Sequence, residues 1–163
     1  LEEDSKNFLY EIKKFLYSSH NQNHNLDIGR EGEECSYFYE LNKTGNTPRH
    51  ESLYDEWAGY DLISYLPSGQ KKYIEVKASS YNQAYITWNE WRIARATILR
   101  NELYEFHLWK KESNKWMLAI IQPNELSFLG EEVRDGHHWK DYLIQFFPFK
   151  DKFIEITSNQ LKK

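Results

Sequence analysis

Asp61, Glu75 and Lys77 are the residues of this 163-residue chain whose types and spacing could do chemistry. They lie in Gly59-Tyr60-Asp61-Leu62-Ile63-Ser64-Tyr65-Leu66-Pro67-Ser68-Gly69-Gln70-Lys71-Lys72-Tyr73-Ile74-Glu75-Val76-Lys77-Ala78-Ser79-Ser80. Two β-rich runs, Tyr60–Leu66 and Lys72–Ser79, flank a segment whose proline and glycine supply turn geometry, so the stretch reads as a β-hairpin. Side chains alternate along a strand. Glu75 and Lys77 therefore share one face, while Ile74, Val76 and Ala78 share the other and want a core. Pairing back across the turn can bring Asp61 beside the acid and the amine. Two carboxylates suit a hard cation such as Mg²⁺, and an adjacent lysine can orient or activate a water. That is the chemistry of a metal-dependent phosphodiesterase, a nuclease above all. Alternating charge is equally the pattern of an ordinary solvated strand, and the three residues alone leave both readings open.

Several elements must position these groups. The spacing predicts a helix from about Asp27 to Leu41, with Asp27 as N-cap. Gly29 and Gly32 near its start weaken it and permit close backbone approach. Glu33 then sits where the helix nears its neighbour, or else is a solvated acid in a favourable first turn. Asn42–His50 reads as a loop and Glu51–Tyr54 as a short edge strand. Ala84–Thr87 forms a further strand. Thr87 or Asn89 caps a helix running to about Arg100, with Trp91, Ala94 and Ile98 on its apolar face. Arg92, Arg95 and Arg100 lie off that face, as a phosphate-contacting stripe or as plain solvated surface.

Leu103–Glu112 and Lys115–Gln122 flank Ser113-Asn114 as a second hairpin, which Pro123 ends. Upstream, residues 4–18 have amphipathic helical spacing, and Ser18–Asn25 reads as a mobile polar connection in which His20 and His24 are solvated. Residues 124–141, interrupted by Gly130 and Gly136, have no clear pattern. His137 and His138 are adjacent, so on a strand they face opposite ways. Tyr142–Phe147 and Phe153–Ile156 read as strands around Pro148, and the Lys-rich end should fray.

Composition narrows the classes. The chain is 40% apolar, 28% charged and 17% aromatic, which fits one globular domain with a proper core. Six Trp, twelve Tyr and nine Phe are core filling first and stacking surfaces for bases second. A net charge of −4 argues against indiscriminate polyanion binding. Cys35 is the only cysteine, which excludes an internal disulfide and a cysteine zinc cluster and suggests a cytoplasmic setting. No apolar run approaches membrane-spanning length, so no membrane partner is expected. The start at Leu1 suggests a domain excised from a larger protein.

Gly29-x-x-Gly32-Glu33, Gly59-Tyr60-Asp61, Ile74-Glu75-Val76-Lys77-Ala78-Ser79 and Thr87-x-Asn89-Glu90 together resemble the DUF3883 family, also called the NO VEIN C-terminal domain. That family is similar to a branch of the PD-(D/E)xK nuclease superfamily. The resemblance covers about residues 27–122, with Tyr60-Asp61 standing where the superfamily has Pro-Asp. It implies an α/β (α+β) nuclease-like core, a central mixed sheet flanked by helices. The domain would occupy 1–163: a helix and linker over 1–26, the core over 27–122, and an extension over 123–163.

By the same resemblance Asp61 and Glu75 hold Mg²⁺ (or Mn²⁺) with the Val76 carbonyl, and Glu33 adds a ligand or anchors a metal-bound water. Lys77 holds or activates the attacking water, and Glu90 supports the site. Ser79, Arg92 and Arg95 are the candidate nucleic-acid contacts. The implied activity is a DNA endonuclease domain of a restriction or other defence enzyme, acting on duplex DNA beside an NTPase or helicase module and as a homodimer. The alternatives are a catalytically inactive nucleic-acid-binding or specificity module and a protein-interaction domain.

Overall fold

The structure, a computed structural model, describes residues 24–53, 55, 57–126 and 141–162. Helix α1 (His24–Thr44) is followed by β1 (Arg49–His50), β2 (Leu62–Tyr65), β3 (Lys71–Ser79) and β4 (Gln83–Thr87). Helix α2 (Trp88–Leu99) leads to β5 (Leu103–Glu112), β6 (Lys115–Ile121), β7 (Asp141–Gln145) and β8 (Ile154–Ile156). Single 3₁₀ segments span Phe147–Lys152 and Ser158–Leu161. The expected mixed α/β architecture is present: a six-stranded sheet in the order β1-β2-β3-β5-β6-β8, and a two-stranded ribbon of β4 and β7. Pairing is antiparallel throughout except between β3 and β5.

Both hairpins form as the turn residues dictate. β2 pairs with β3 through Leu62↔Ile74 to Tyr65↔Lys71, around Gly69 at φ +84. β5 and β6 meet at Ser113 and Asn114, whose φ values of 48 and 62 belong to a two-residue turn with both central residues left-handed. The parallel β3–β5 pair lies inside the sheet, and such strands are normally covered on both faces. Here α1 lies over Ile74 and Val76, which pack with Cys35, Leu62, Trp109 and Leu118. On the opposite face, a second core gathers Trp91 and Ala94 of α2 with Tyr104, Phe106, Leu108 and Ile121. Glu75 and Lys77 point to this second side, so their alternation with the apolar residues places them in the protein rather than in water.

Gly32 sets how closely α1 approaches β3. A Cβ added there would stand 2.5 Å from the Cβ of Ala78, well inside van der Waals contact. The other glycine of the pair does nothing comparable: a Cβ on Gly29 meets nothing within 4 Å. Beneath the same helix lies a polar cluster that the sequence does not announce. Lys72 is 2.9 Å from both Glu40 and Glu105, and Ser64 donates to Glu40 at 2.6 Å. Ser36 accepts from Trp109 Nε1 at 2.7 Å and lies 3.1 Å from His107 Nδ1. Glu40 and His107 are fully buried, and polar groups so placed need hydrogen-bond partners.

Several boundaries differ from the sequence reading. α1 starts at His24 and runs to Thr44, so Asp27 lies in its first turn and is not the N-cap, and His24 and Asn25 are helical. The short edge strand is Arg49–His50, registered on Ile63 and Leu62, and not Glu51–Tyr54. In α2 the buried stripe is Trp91, Ala94 and Thr97, while Ile98 is 39% exposed because the last turn overhangs the core. The tail meets α1: Asn42 Nδ2 donates to the carbonyls of Gln160 (2.9 Å) and Lys162 (3.2 Å). The expected 4–18 helix, His20, Gly130, Gly136, His137 and His138 lie outside the described residues.

The two glycines should separate cleanly on urea unfolding. Gly29→Ala gains helix propensity without a clash and should stabilise by about 1 kcal/mol. Gly32→Ala must push α1 off β3 and should destabilise by about 1–3 kcal/mol, in part recovered when Ala78→Gly is added. Equal effects at the two positions would show that the close approach at Gly32 is not a constraint.

Candidate active site

Asp61 stands one residue before β2, a step beyond the Leu62↔Ile74 pair and therefore opposite Glu75. Its N–H donates to the Ile74 carbonyl at 2.8 Å, and its own carbonyl accepts from the N–H groups of Glu51 (2.7 Å) and Ser52 (3.2 Å). The side chain turns onto β3, where Oδ2 accepts from the Val76 N–H at 2.7 Å. Gly59 makes this entry possible. It is left-handed at φ +77, and a Cβ there would fall 2.7 Å from Ile93 Cγ1. Its carbonyl accepts from the buried Tyr104 hydroxyl at 2.6 Å.

Lys77 lies between two acids, 2.6 Å from Glu75 Oε1 and 2.8 Å from Glu90 Oε2. Glu90 is fixed by helix chemistry. Thr87 caps α2 by accepting from the Glu90 N–H at 3.2 Å, and Glu90 Oε2 accepts in return from the Thr87 N–H at 2.9 Å. This is a capping box, in which each residue satisfies an orphan donor of the other. Glu33 enters from α1, just past the Gly32 contact, and accepts from the Ser52 hydroxyl at 3.0 Å.

Four acids thus surround one amine, and their protonation shows the imbalance. Burial, with Asp61 adding repulsion, pushes Glu33 up to about 8. Burial pushes Asp61 up to about 6, against the pull of Lys77 and the Val76 N–H. Glu75 is raised well above the carboxylate range by burial and then by Asp61. Burial alone would lower Lys77, but Glu75, Glu90 and Asp61 outweigh it and hold the ammonium above its ordinary value. The ammonium is thus the form that these acids favour in Lys77.

Asp61, Glu75 and Glu90 open into a cleft of about 450 Å³, lined also by Ser52, Asp55, Trp57, Gly59, Tyr60, Thr87, Trp88, Asn89 and Asp141. The donor set suits a hard divalent cation, since it is all oxygen, acidic and short of positive charge. It is not drawn tight around one point. Among the described residues, the grouping of three His, Cys, Asp or Glu side chains whose ligand atoms all lie within 4.8 Å is Glu40, Glu105 and His107. There the Lys72 ammonium, 2.9 Å from both acids, already holds the cation position. In the cleft Glu75 leans toward Lys77, and for Val76 the group in use is the N–H.

The structure brings Asp61, Glu75, Lys77, Glu90 and Glu33 together, and keeps the other sequence candidates apart from them. Arg92 is exposed on α2 and donates to Asn89 Oδ1 at 3.0 Å, and Arg95 lies over the Trp91 ring at 5.7 Å. Ser79 is buried and its hydroxyl accepts from the Tyr81 N–H at 3.0 Å, closing the turn after β3. None of the three lines the cleft. Sequence reasoning gave no role to Ser52, Asp55, Trp57 or Asp141; they sit in loops or at a strand end where no periodicity marks them. Over residues 32–104 the chain matches the family model described as Protein NO VEIN, C-terminal. No curated protein matches the chain. Among the described residues no helix is long and apolar enough to cross a membrane.

The charge imbalance has a pH signature in metal-free buffer. A carboxyl with a raised folded pKa favours the fold below its unfolded value and loses that contribution as pH rises through the folded value. For Glu33 the window runs from 4.5 to about 8. Thermal stability in a chelator should therefore fall across that range, and Glu33→Gln should flatten the slope. A melting temperature that rises steadily from acid to neutral pH in both proteins would refute the assignment.

Proposed function

We propose that the cleft is the active site of a metal-dependent DNA endonuclease domain of the PD-(D/E)xK kind, hydrolysing phosphodiester bonds within a restriction or other defence enzyme. The observation that carries this reading is the gathering of Asp61 and Glu75 at one open cleft, with Lys77 paired to Glu75 and Glu33 near enough to feel the Asp61 charge. Solvated surface charges would not be assembled and buried at such cost. Asp61, Glu75 and Glu33, with the Val76 carbonyl, would hold Mg²⁺ or Mn²⁺. When bound, the cation supplies charge neutralisation at the phosphate and an activated water.

The chain's own groups have distinct tasks in this reading. Lys77 remains an ammonium and donates to a phosphate oxygen or to the attacking water, which its raised pKa favours over proton abstraction. Glu90 positions that ammonium, and the Val76 N–H orients the Asp61 carboxylate. Duplex DNA, an NTPase or helicase module in the parent protein and a homodimeric arrangement belong to the same proposal.

A second reading has an observation in its favour. Glu75 is paired to Lys77 at 2.6 Å, and the carboxylates are not gathered within 4.8 Å, which suits a nuclease-like module that binds nucleic acid without cutting it. The two separate on a gel. The enzyme degrades DNA with Mg²⁺ and stops with Ca²⁺, whereas the module retains DNA and leaves it intact. Asp61→Asn and Glu75→Gln should each cut at least about a hundredfold more slowly, with thermal stability at pH 8 kept or raised because a repelling charge is gone. Cutting at the wild-type rate by either variant would overturn these roles.

A further inference from the structure

Trp57 is 80% exposed on the wall of the cleft, although its backbone is held at both ends. Its N–H donates to Asp55 Oδ1 at 2.9 Å, and its carbonyl accepts from Asn89 Nδ2 at 3.0 Å, the latter on the first turn of α2. A fixed backbone thus presents a large apolar ring to solvent. Such a ring makes no contribution to folding, since exposed indole recovers none of the free energy that its burial would give. Trp88 and Tyr60 line the same cleft with their rings packed onto the core, so two of its aromatic surfaces are rigid.

We infer that the cleft takes an unpaired DNA nucleobase, stacked on Trp57, beside the phosphate that Lys77, with a cation held by Asp61 and Glu75, would engage. The inference rests on the nuclease reading for that phosphate, while the base-binding half has its own support. Asp55 and Asp141 line the same cleft, so a second phosphate would be repelled there. What enters must be neutral or a hydrogen-bond donor, and flat enough to lie on an indole. A nucleobase is both, because its exocyclic amines can donate to carboxylates while its ring stacks. The volume of about 450 Å³ lies in the range of pockets for small ligands and suits a single base. A base in a duplex also has both faces occupied by its neighbours, so only one taken out of the stack can offer a face to Trp57. The substrate class is therefore DNA with an unpaired nucleotide next to the cut: a single strand, or a frayed or flapped end.

The test measures binding and cutting separately on the full chain. With Ca²⁺ present, tryptophan fluorescence is titrated with a single-stranded oligodeoxynucleotide of about ten nucleotides, and with the same strand annealed to its complement. Trp57→Ala, Trp57→Phe and Leu99→Ala are compared with wild type. Leu99 is equally exposed, at 80%, but lies at the far end of α2 from Asn89. The expected result is tighter binding of the single strand than of the duplex. Trp57→Ala should weaken single-strand binding by about 5- to 150-fold, while Trp57→Phe stays within about threefold of wild type and Leu99→Ala is unchanged. Single-strand binding that is the same in Trp57→Ala as in wild type, or a preference for the duplex, overturns the inference. Trp57-dependent binding with no Mg²⁺- or Mn²⁺-dependent cutting of any DNA defeats the nuclease reading and upholds the base site. Cutting that is indifferent to Trp57 on single strands does the reverse.

Discussion

Lys77 divides its ammonium between Glu75 and Glu90 while Asp61, opposite Glu75 in the sheet, takes its stabilising contact from a backbone N–H. One cation among several buried acids is a costly arrangement, because carboxylates lose hydration and repel one another unless each finds a partner. The surrounding fold is organised to supply those partners. The Gly59 turn, pinned by Tyr104, aims Asp61 at β3. The capping box of α2 delivers Glu90. The Gly32–Ala78 contact draws α1 close enough for Glu33 to share the site's field, and Ser52 holds its carboxylate.

The sheet carries a polar cluster on each face, and the contrast between them is informative. Under α1, Lys72 sits between Glu40 and Glu105, with Ser64 completing the coordination of Glu40. Both acids there meet the same ammonium in a closed, buried cluster, and such a network fixes the seating of α1 on β3 and β5. On the other face the acids outnumber the amine and the cluster opens to a cleft. Paired and closed, charges serve the fold; unbalanced and open, they are suited to an incoming cation or donor.

The legible parts of the sequence were those where one periodicity or one turn residue decides. Alternation of Ile74, Val76 and Ala78 with Glu75 and Lys77 fixed the two faces of β3, and Ser113-Asn114 fixed the β5–β6 turn. Thr87 or Asn89 marked the start of α2, and the structure selects Thr87, boxed with Glu90. What remained hidden depends on contacts distant in sequence. Lys72 and Glu105 look like the solvated charges of any strand until parallel pairing sets Glu105 beside Ile74 and brings Lys72 under α1. Gly29 and Gly32 are equivalent in a helical pattern, and only the position of β3 distinguishes them. Ile98 shares the stripe of Trp91 and Ala94, but periodicity does not say where the core ends.

The Thr87 amide has an unusual position in this scheme. Its proton is held by Glu90 Oε2, the same oxygen that faces Lys77. The start of α2 and the charge state of the cleft therefore share an atom. Opening the first helical turn would loosen Lys77, and any ligand that draws Lys77 away would alter the electron density available to that one proton. Its solvent exchange rate and chemical shift make it a built-in spectroscopic reporter of what occupies the cleft, legible without a substitution.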